Sequence, residues 1–293
     1  MNDKRTFLVA GATGSIGGAA AVALASRGAR TVLLARNAEK ARATELAVRQ
    51  AVSLVSGNPS KADVTNQMID FSDMGSVRAA VAEILFRYPV LDGLVLSVGA
   101  YIQNGPTLLP DGHEAMFATN VMGPFLLTEL LMERLQRSNA IVVHVIAPFH
   151  KDIDWTDLES LQNHKTGHAF NRTKTCNWAI AGELARRYEG RIVSFAFDPT
   201  FVIDKTDPTL SSRWPSGFVG LFWKTLTLLM AKPPSVAGEA IANLVLSDRD
   251  RQAMNGALFK LEKRMAKLDK AMTDVEFGKR LWDELARRTQ LEA

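Results

Sequence analysis

The chain has 293 residues, 47% of them hydrophobic and 23% charged, with 20 Gly and 11 Pro, the composition of an ordinary soluble globular protein rather than a fibre, a disordered tail or a disulfide scaffold. Thirty-five basic residues against 31 acidic leave a net charge of +4, too small and too evenly spread to point to nucleic acid. The length suits one large α/β domain of roughly 250 residues with a terminal extension.

The single cysteine, Cys176, cannot close an intramolecular disulfide and fits no spaced metal-ligand pattern. A reducing, cytoplasmic setting without a structural metal is therefore expected. Few residues precede the first apolar run, at 6–10, which leaves no room for a signal peptide ahead of it. The most apolar later stretch, 214–230, is interrupted by Lys224 and is too short to span about 30 Å of hydrocarbon, so no transmembrane segment is expected.

Along the chain, short β-branched runs alternate with longer helical patterns. A strand at 6–11 is followed by a helix over about 16–27, a strand at 31–35 and a helix over about 38–49. A weaker strand precedes Asp70, a helix follows Asp73, a buried strand covers 91–97, and a long helix runs over about 112–137. Then come a strand at 140–146, a helix from Phe170 to about residue 187, a strand at 191–197 and a seventh strand near 257–260. Alternation of this kind marks βαβ units, whose right-handed crossovers wind a mainly parallel, seven-stranded Rossmann-type sheet with helices on both faces. This domain is expected to end near residue 262, with the segment over about 201–234 following its sixth strand. The tail, 263–293, has Met265, Leu268 and Met272 at helical spacing among charges and reads as a solvated helix packed on that domain.

Immediately after the first strand stands Gly11-Ala12-Thr13-Gly14-Ser15-Ile16-Gly17-Gly18. An apolar strand before it, an Ala-rich helix after it and a second strand about twenty residues on make this a pyrophosphate-binding turn. Gly11 permits the turn, Gly14 lets backbone N–H groups approach an anion, and Gly17 allows close helix–strand packing. The unpaired donors of the helix N-terminus then face the phosphates. At the end of the second strand, Leu34-Ala35-Arg36-Asn37 offers no acid for a ribose 2′-hydroxyl, whereas the Arg36 guanidinium suits a 2′-phosphate. NADP(H) is favoured over NAD(H), and Lys40 stands one helical turn further on.

These landmarks together resemble the short-chain dehydrogenase/reductase family, and within it the retinol dehydrogenase-like branch. The resemblance extends from Thr6 to Leu281-Trp282. It rests on Ala35-Arg36-Asn37, Asp70-Phe71-Ser72, Phe117-Ala118-Thr119-Asn120, Gly123-Pro124-Phe125, the run from Ile153 to Leu158, and Glu183-Leu184-Ala185-Arg186-Arg187. By resemblance, Asp70 would hydrogen-bond the adenine amino group, Gly99 would line the cofactor, Lys174 would grip the nicotinamide ribose, and Asn120 would hold a water linking Lys174 to solvent. The expected cofactor contacts are Gly11, Thr13, Gly14, Ser15, Ile16, Gly17, Arg36, Asp70, Phe71, Gly99, Lys174, Pro199 and Val202.

The departures carry the functional argument. The family's general-acid tyrosine, four residues before the lysine, is Phe170 here, and its carbonyl-orienting serine is Ala147. The family's Asn-Asn-Ala-Gly stretch is Leu96-Ser97-Val98-Gly99, and its Pro-Gly is Pro199-Thr200. A phenyl ring has no exchangeable proton and a methyl group cannot stabilise an alkoxide. Each loss typically lowers the rate by about 10² or more, so ordinary ketone reduction is expected to be very slow.

Three readings follow. One is a reductase whose substrate needs no proton on oxygen, a C=N bond or a conjugated C=C bond, with Lys174 stabilising an enolate. A second keeps carbonyl chemistry with a substitute acid, for which Tyr101, His150 and Asp198 are the candidates at strand ends. The other tyrosines, Tyr88 and Tyr188, fall at helix ends, and His144 reads as a packed strand residue. The third is an inactive NADP(H)-binding protein acting through a partner. The resemblance implies that the segment over about 201–234 is a substrate lid in the NADP-binding domain, 1–262, and its Trp214, Phe218, Leu221, Phe222, Trp223, Leu226 and Leu229 favour a bulky apolar or aromatic substrate. Many relatives dimerise through the two long helices, so the resemblance also implies a homodimer.

Overall fold

The computed structural model describes residues 4–147, 152–204 and 231–291. The first half lays down β1 (Thr6–Ala10), α1 (Ser15–Ser26), β2 (Arg30–Ala35), α2 (Ala38–Ser56), β3 (Val64–Met68), α3 (Met74–Arg87) and β4 (Gly93–Leu96). Then follow α4 (Ala115–Phe117), a π-helical turn (Ala118–Met122), α5 (Gly123–Leu130), α6 (Met132–Arg137), β5 (Ile141–Val145), α7 (Thr166–Arg187) and β6 (Val193–Asp198). The last part holds α8 (Pro234–Leu246), α9 (Arg251–Met254), β7 (Leu258–Lys260), β8 (Lys263–Arg264), α10 (Lys270–Thr273) and α11 (Val275–Arg288).

The strands form one sheet in the order β3-β2-β1-β4-β5-β6-β7-β8, parallel throughout except for the antiparallel β7–β8 pair. Strands β1, β4, β5 and β6 are buried along their whole length, which is why they read as unbroken apolar runs rather than alternating ones. Helices α3, α5, α7 and α11 cover one face, with Leu8, Leu94, Val142, Phe125 and Ile180 in their core, while α1, α2 and α8 cover the other around Val9, Val95, Val143 and Phe195.

The structure differs from the sequence reading in four places. The sheet has eight strands, not seven: β8 is two exposed basic residues, too short and too polar to carry a strand pattern. Helix α2 continues to Ser56 because Val48 and Val52 extend its buried stripe. The long helix starts at Ala115, where Glu114 caps it by accepting the Phe117 N–H at 2.8 Å, and the π-helical turn interrupts it. The expected C-terminal helical extension is present, as a short strand and two helices rather than one helix, and its Leu281, Trp282 and Leu285 are part of the main core.

Strand β1 sits between β2 and β4, so the chain winds outward in both directions from it. That reversal opens a crevice beyond the carboxyl ends of β1 and β4, where open α/β sheets bind their ligands.

Candidate functional site

The turn after β1 is built for close backbone approach. Gly11 has φ +74°, and a Cβ there would lie 2.6 Å from the Ser97 carbonyl oxygen. Gly14 donates its N–H to the Gly11 carbonyl at 2.9 Å and is the extended N-cap of α1, with no side-chain capping bond and no acid in the first turn. The N–H groups of that turn are left for a ligand, at the positive end of a 12-residue helix. Gly17 packs so tightly on the Gly11 carbonyl that no larger residue fits. A pyrophosphate fits this cradle: it is concave, rich in donors and free of competing carboxylates.

Two clefts flank the turn. The outer one, about 290 Å³, brings Gly11, Thr13, Arg36, Lys40, Asp70 and Phe71 together. Arg36 is largely exposed and lies 3.9 Å from Asp70, whose other carboxylate oxygen accepts from the Ser72 N–H at 2.9 Å and hydroxyl at 2.7 Å. Asn37 caps α2 by accepting the Lys40 N–H at 2.8 Å, which sets Lys40 on the cleft wall.

The inner cleft, about 350 Å³, gathers Gly14, Ser15, Ile16, Ser97, Val98, Gly99, Val145, Ile146, Ala147, Phe170, Lys174, Pro199, Thr200 and Val202. Among its described lining residues the one charged side chain is Lys174, 5% exposed, which donates to the Val98 carbonyl at 3.0 Å. Burial alone lowers the ammonium pKa from 10.5 to about 8. Its Nζ lies 5.4 Å from the Phe170 ring centre, and a Cβ at Gly99 would stand 3.4 Å from it, in ordinary contact.

The remaining candidates separate. Asn120, in the π-helical turn, accepts the Ala100 N–H at 2.7 Å and donates to the Ala100 carbonyl at 2.9 Å and to Thr173 Oγ1 at 3.3 Å. Its side chain thus clamps the loop after β4 to α7. Tyr101 is half exposed and meets Phe170 edge to face at 5.4 Å. Asp198 is buried and accepts the Thr200 N–H at 2.7 Å, and it does not line the inner cleft. His144 is buried in β5, its pKa pushed down to about 3 by burial, as a packed strand residue. Tyr88 and Tyr188 end α3 and α7. His150 and the lid aromatics, Trp214, Phe218, Leu221, Phe222, Trp223, Leu226 and Leu229, lie outside the described residues.

Several cleft residues were not singled out from the sequence. Ser97, Val145 and Ile146 line the inner cleft because they sit at the carboxyl ends of β4 and β5, a signal the strand pattern already contained. Thr200 has φ +64° and a buried hydroxyl without a partner among the described residues. Only its place where the family carries glycine hints at that backbone conformation.

The chain's residues 5–149 match the family model described as short chain dehydrogenase. Human retinol dehydrogenase 14 is 31% identical over 291 residues, covering 95% of this chain and 84% of that protein. The chain belongs to the short-chain dehydrogenase/reductase family, in its retinol dehydrogenase-like branch. Mouse retinol dehydrogenase 14 is 34% identical over 199 residues, but that match spans 58% of its length. Among solved structures, a variant of actinorhodin polyketide ketoreductase with NADPH superposes with a TM-score of 0.66 at 20% identity, covering 89% of this chain and 96% of that one. An alcohol dehydrogenase from the archaeon Thermococcus sibiricus gives 0.63 at 18% identity, covering 90% and 97%. Membership makes the chain a dehydrogenase/reductase by family and its cradle a nicotinamide dinucleotide site by fold. Among the described residues no helix is long and apolar enough to cross a membrane.

Proposed function

We propose that this family member binds NADP(H) and reduces a conjugated C=C bond in a bulky apolar or aromatic substrate, without the hydroxyl pair on which its relatives rely. The observation that carries the reading is the inner cleft: Lys174 stands there with Phe170 and Ala147, and no carboxylate or imidazole is among its described lining residues. Bound in the cradle, a reduced nicotinamide would supply a hydride. The protein's part is then to stabilise the negative charge that hydride addition to the β-carbon leaves on the substrate oxygen, and to admit the solvent proton that the α-carbon takes up.

Lys174 suits the first task. An ammonium in an apolar cleft, anchored by the Val98 carbonyl, stabilises an enolate oxygen far more strongly than it would in water. The same charge repels a preformed iminium, which favours the C=C over the C=N alternative. Ile16, Val98, Val145, Ile146, Phe170 and Val202 give the cleft its apolar lining. A carbonyl reduction with a substitute acid has Tyr101 as its best-placed donor, since Asp198 is engaged by Thr200. For the outer cleft, Arg36 and Lys40 without an acid at the end of β2 support a 2′-phosphate and hence NADP(H).

Fluorescence titration with NADPH and NADH, followed by NADPH consumption against matched enones and saturated ketones, tests the reading. Turnover of the enones alone is expected, and the double substitution Ala147→Ser with Phe170→Tyr should add ketone reduction. Tight NADPH binding with no turnover of either class would favour the inactive, partner-directed alternative. Ketone turnover by the parent protein, lost on Tyr101→Phe, would favour the substitute acid.

A further inference from the structure

Two helical stretches of this chain are enclosed on nearly every side. Over residues 114–132 none is exposed, and over 173–185 only Asn177 is more than slightly accessible. One side of α5 and α7 rests on the sheet. The other would present Phe125, Ile180 and Leu184 as a broad apolar surface, and these residues are instead part of the main core. What covers them is the chain's own C-terminal segment.

Trp282 of α11 meets Phe125 edge to face at 4.9 Å, and the Arg187 guanidinium stacks 4.7 Å over its ring. Leu281 and Leu285 fill the same cluster. At α10 the approach is closer still: Gly182 lies against the Met272 carbonyl so tightly that any Cβ there would collide with it, and Arg186 donates to that carbonyl at 2.8 Å. Arg78 of α3 donates to the carbonyls of Thr289 at 2.8 Å and Gln290 at 3.0 Å, and Arg288 pairs with the buried Glu159. The segment is thus fastened to three separate parts of the fold.

We infer that α10 and α11 act as a built-in replacement for a second subunit: they seal the α5–α7 face within one chain, so the protein does not self-associate through it. An apolar face that large needs a cover, and an intramolecular cover has a far higher effective concentration than a separate copy. The homodimer implied by family resemblance is replaced by a monomer across this surface.

Hydrogen exchange of the full chain over a series of protein concentrations, with sedimentation velocity on the same samples, tests this. The expected result is a 32.1 kDa particle whose α5 and α7 amides exchange at rates independent of concentration. Protection of either helix that rises with concentration, or a dimer cross-linked through them, overturns it. Trp282→Ala and, separately, Gly182→Ala should loosen the seam and make α7 amides exchange at least about tenfold faster in dilute solution. Wild-type exchange rates in both variants would also overturn it. If either variant fails to fold, the wild-type series decides alone.

Discussion

Lys174 sets stability against use more sharply than any other residue of the cleft. Its pKa falls from 10.5 to about 8 through burial, so the folded state resists the charge that the proposed chemistry needs. The shift lowers stability by about 3 kcal/mol at neutral pH, a penalty relieved as pH rises from about 8 towards 10.5. Lys174→Met should therefore raise the urea midpoint, by about 2 kcal/mol in unfolding free energy, while removing enone turnover. In the wild type, turnover should fall as pH rises through about 8, because the ammonium is lost there; a profile flat to pH 10 in that measurement removes Lys174 from the chemistry. On the outer cleft, Arg36→Leu should weaken NADPH binding by about tenfold or more and leave NADH nearly unchanged, as read by fluorescence titration.

At the scale of elements, the informative feature is the broken helix between β4 and β5. The π-helical turn places Asn120 where its amide can take both the N–H and the carbonyl of Ala100, which ties the loop after β4 to the helix bearing Lys174. Such turns recur where a helix must divert a side chain to a local task. Asn120→Ala leaves two partly buried backbone groups unpaired and should lower stability by about 2 kcal/mol, seen as a shifted denaturant midpoint at constant slope. Sequence periodicity gave no hint of the interruption, since Ala118, Val121 and Met122 are as buried as a continuous helix would make them.

For the whole molecule, the tail is the element whose depth of burial local spacing understates. Its spacing and charges suggest a solvated helix packed on the domain, and Leu281, Trp282 and Leu285 are at most 5% exposed. Trp282→Ala should lower stability by about 3 kcal/mol, measured by urea denaturation, because a large buried ring is removed from the interface of α5, α7 and the tail.

The β-branched runs, the helical spacings between them and the glycine turn after β1 were enough to specify a doubly wound sheet and a dinucleotide cradle, because those signals are local: a strand's period, a helix's stripe and a turn's backbone freedom lie within a few neighbouring residues. The reading of Phe170 and Ala147 as the family's hydroxyl positions is local in the same sense, since it compares residues within short motifs. Tertiary structure alone decided that Lys174 stands in the inner cleft, that Asp198 accepts the Thr200 N–H, that Asn120 clamps Ala100, and that the tail covers α7. Each of these depends on groups far apart in the chain meeting in space, and on the burial that meeting creates, neither of which a linear pattern encodes.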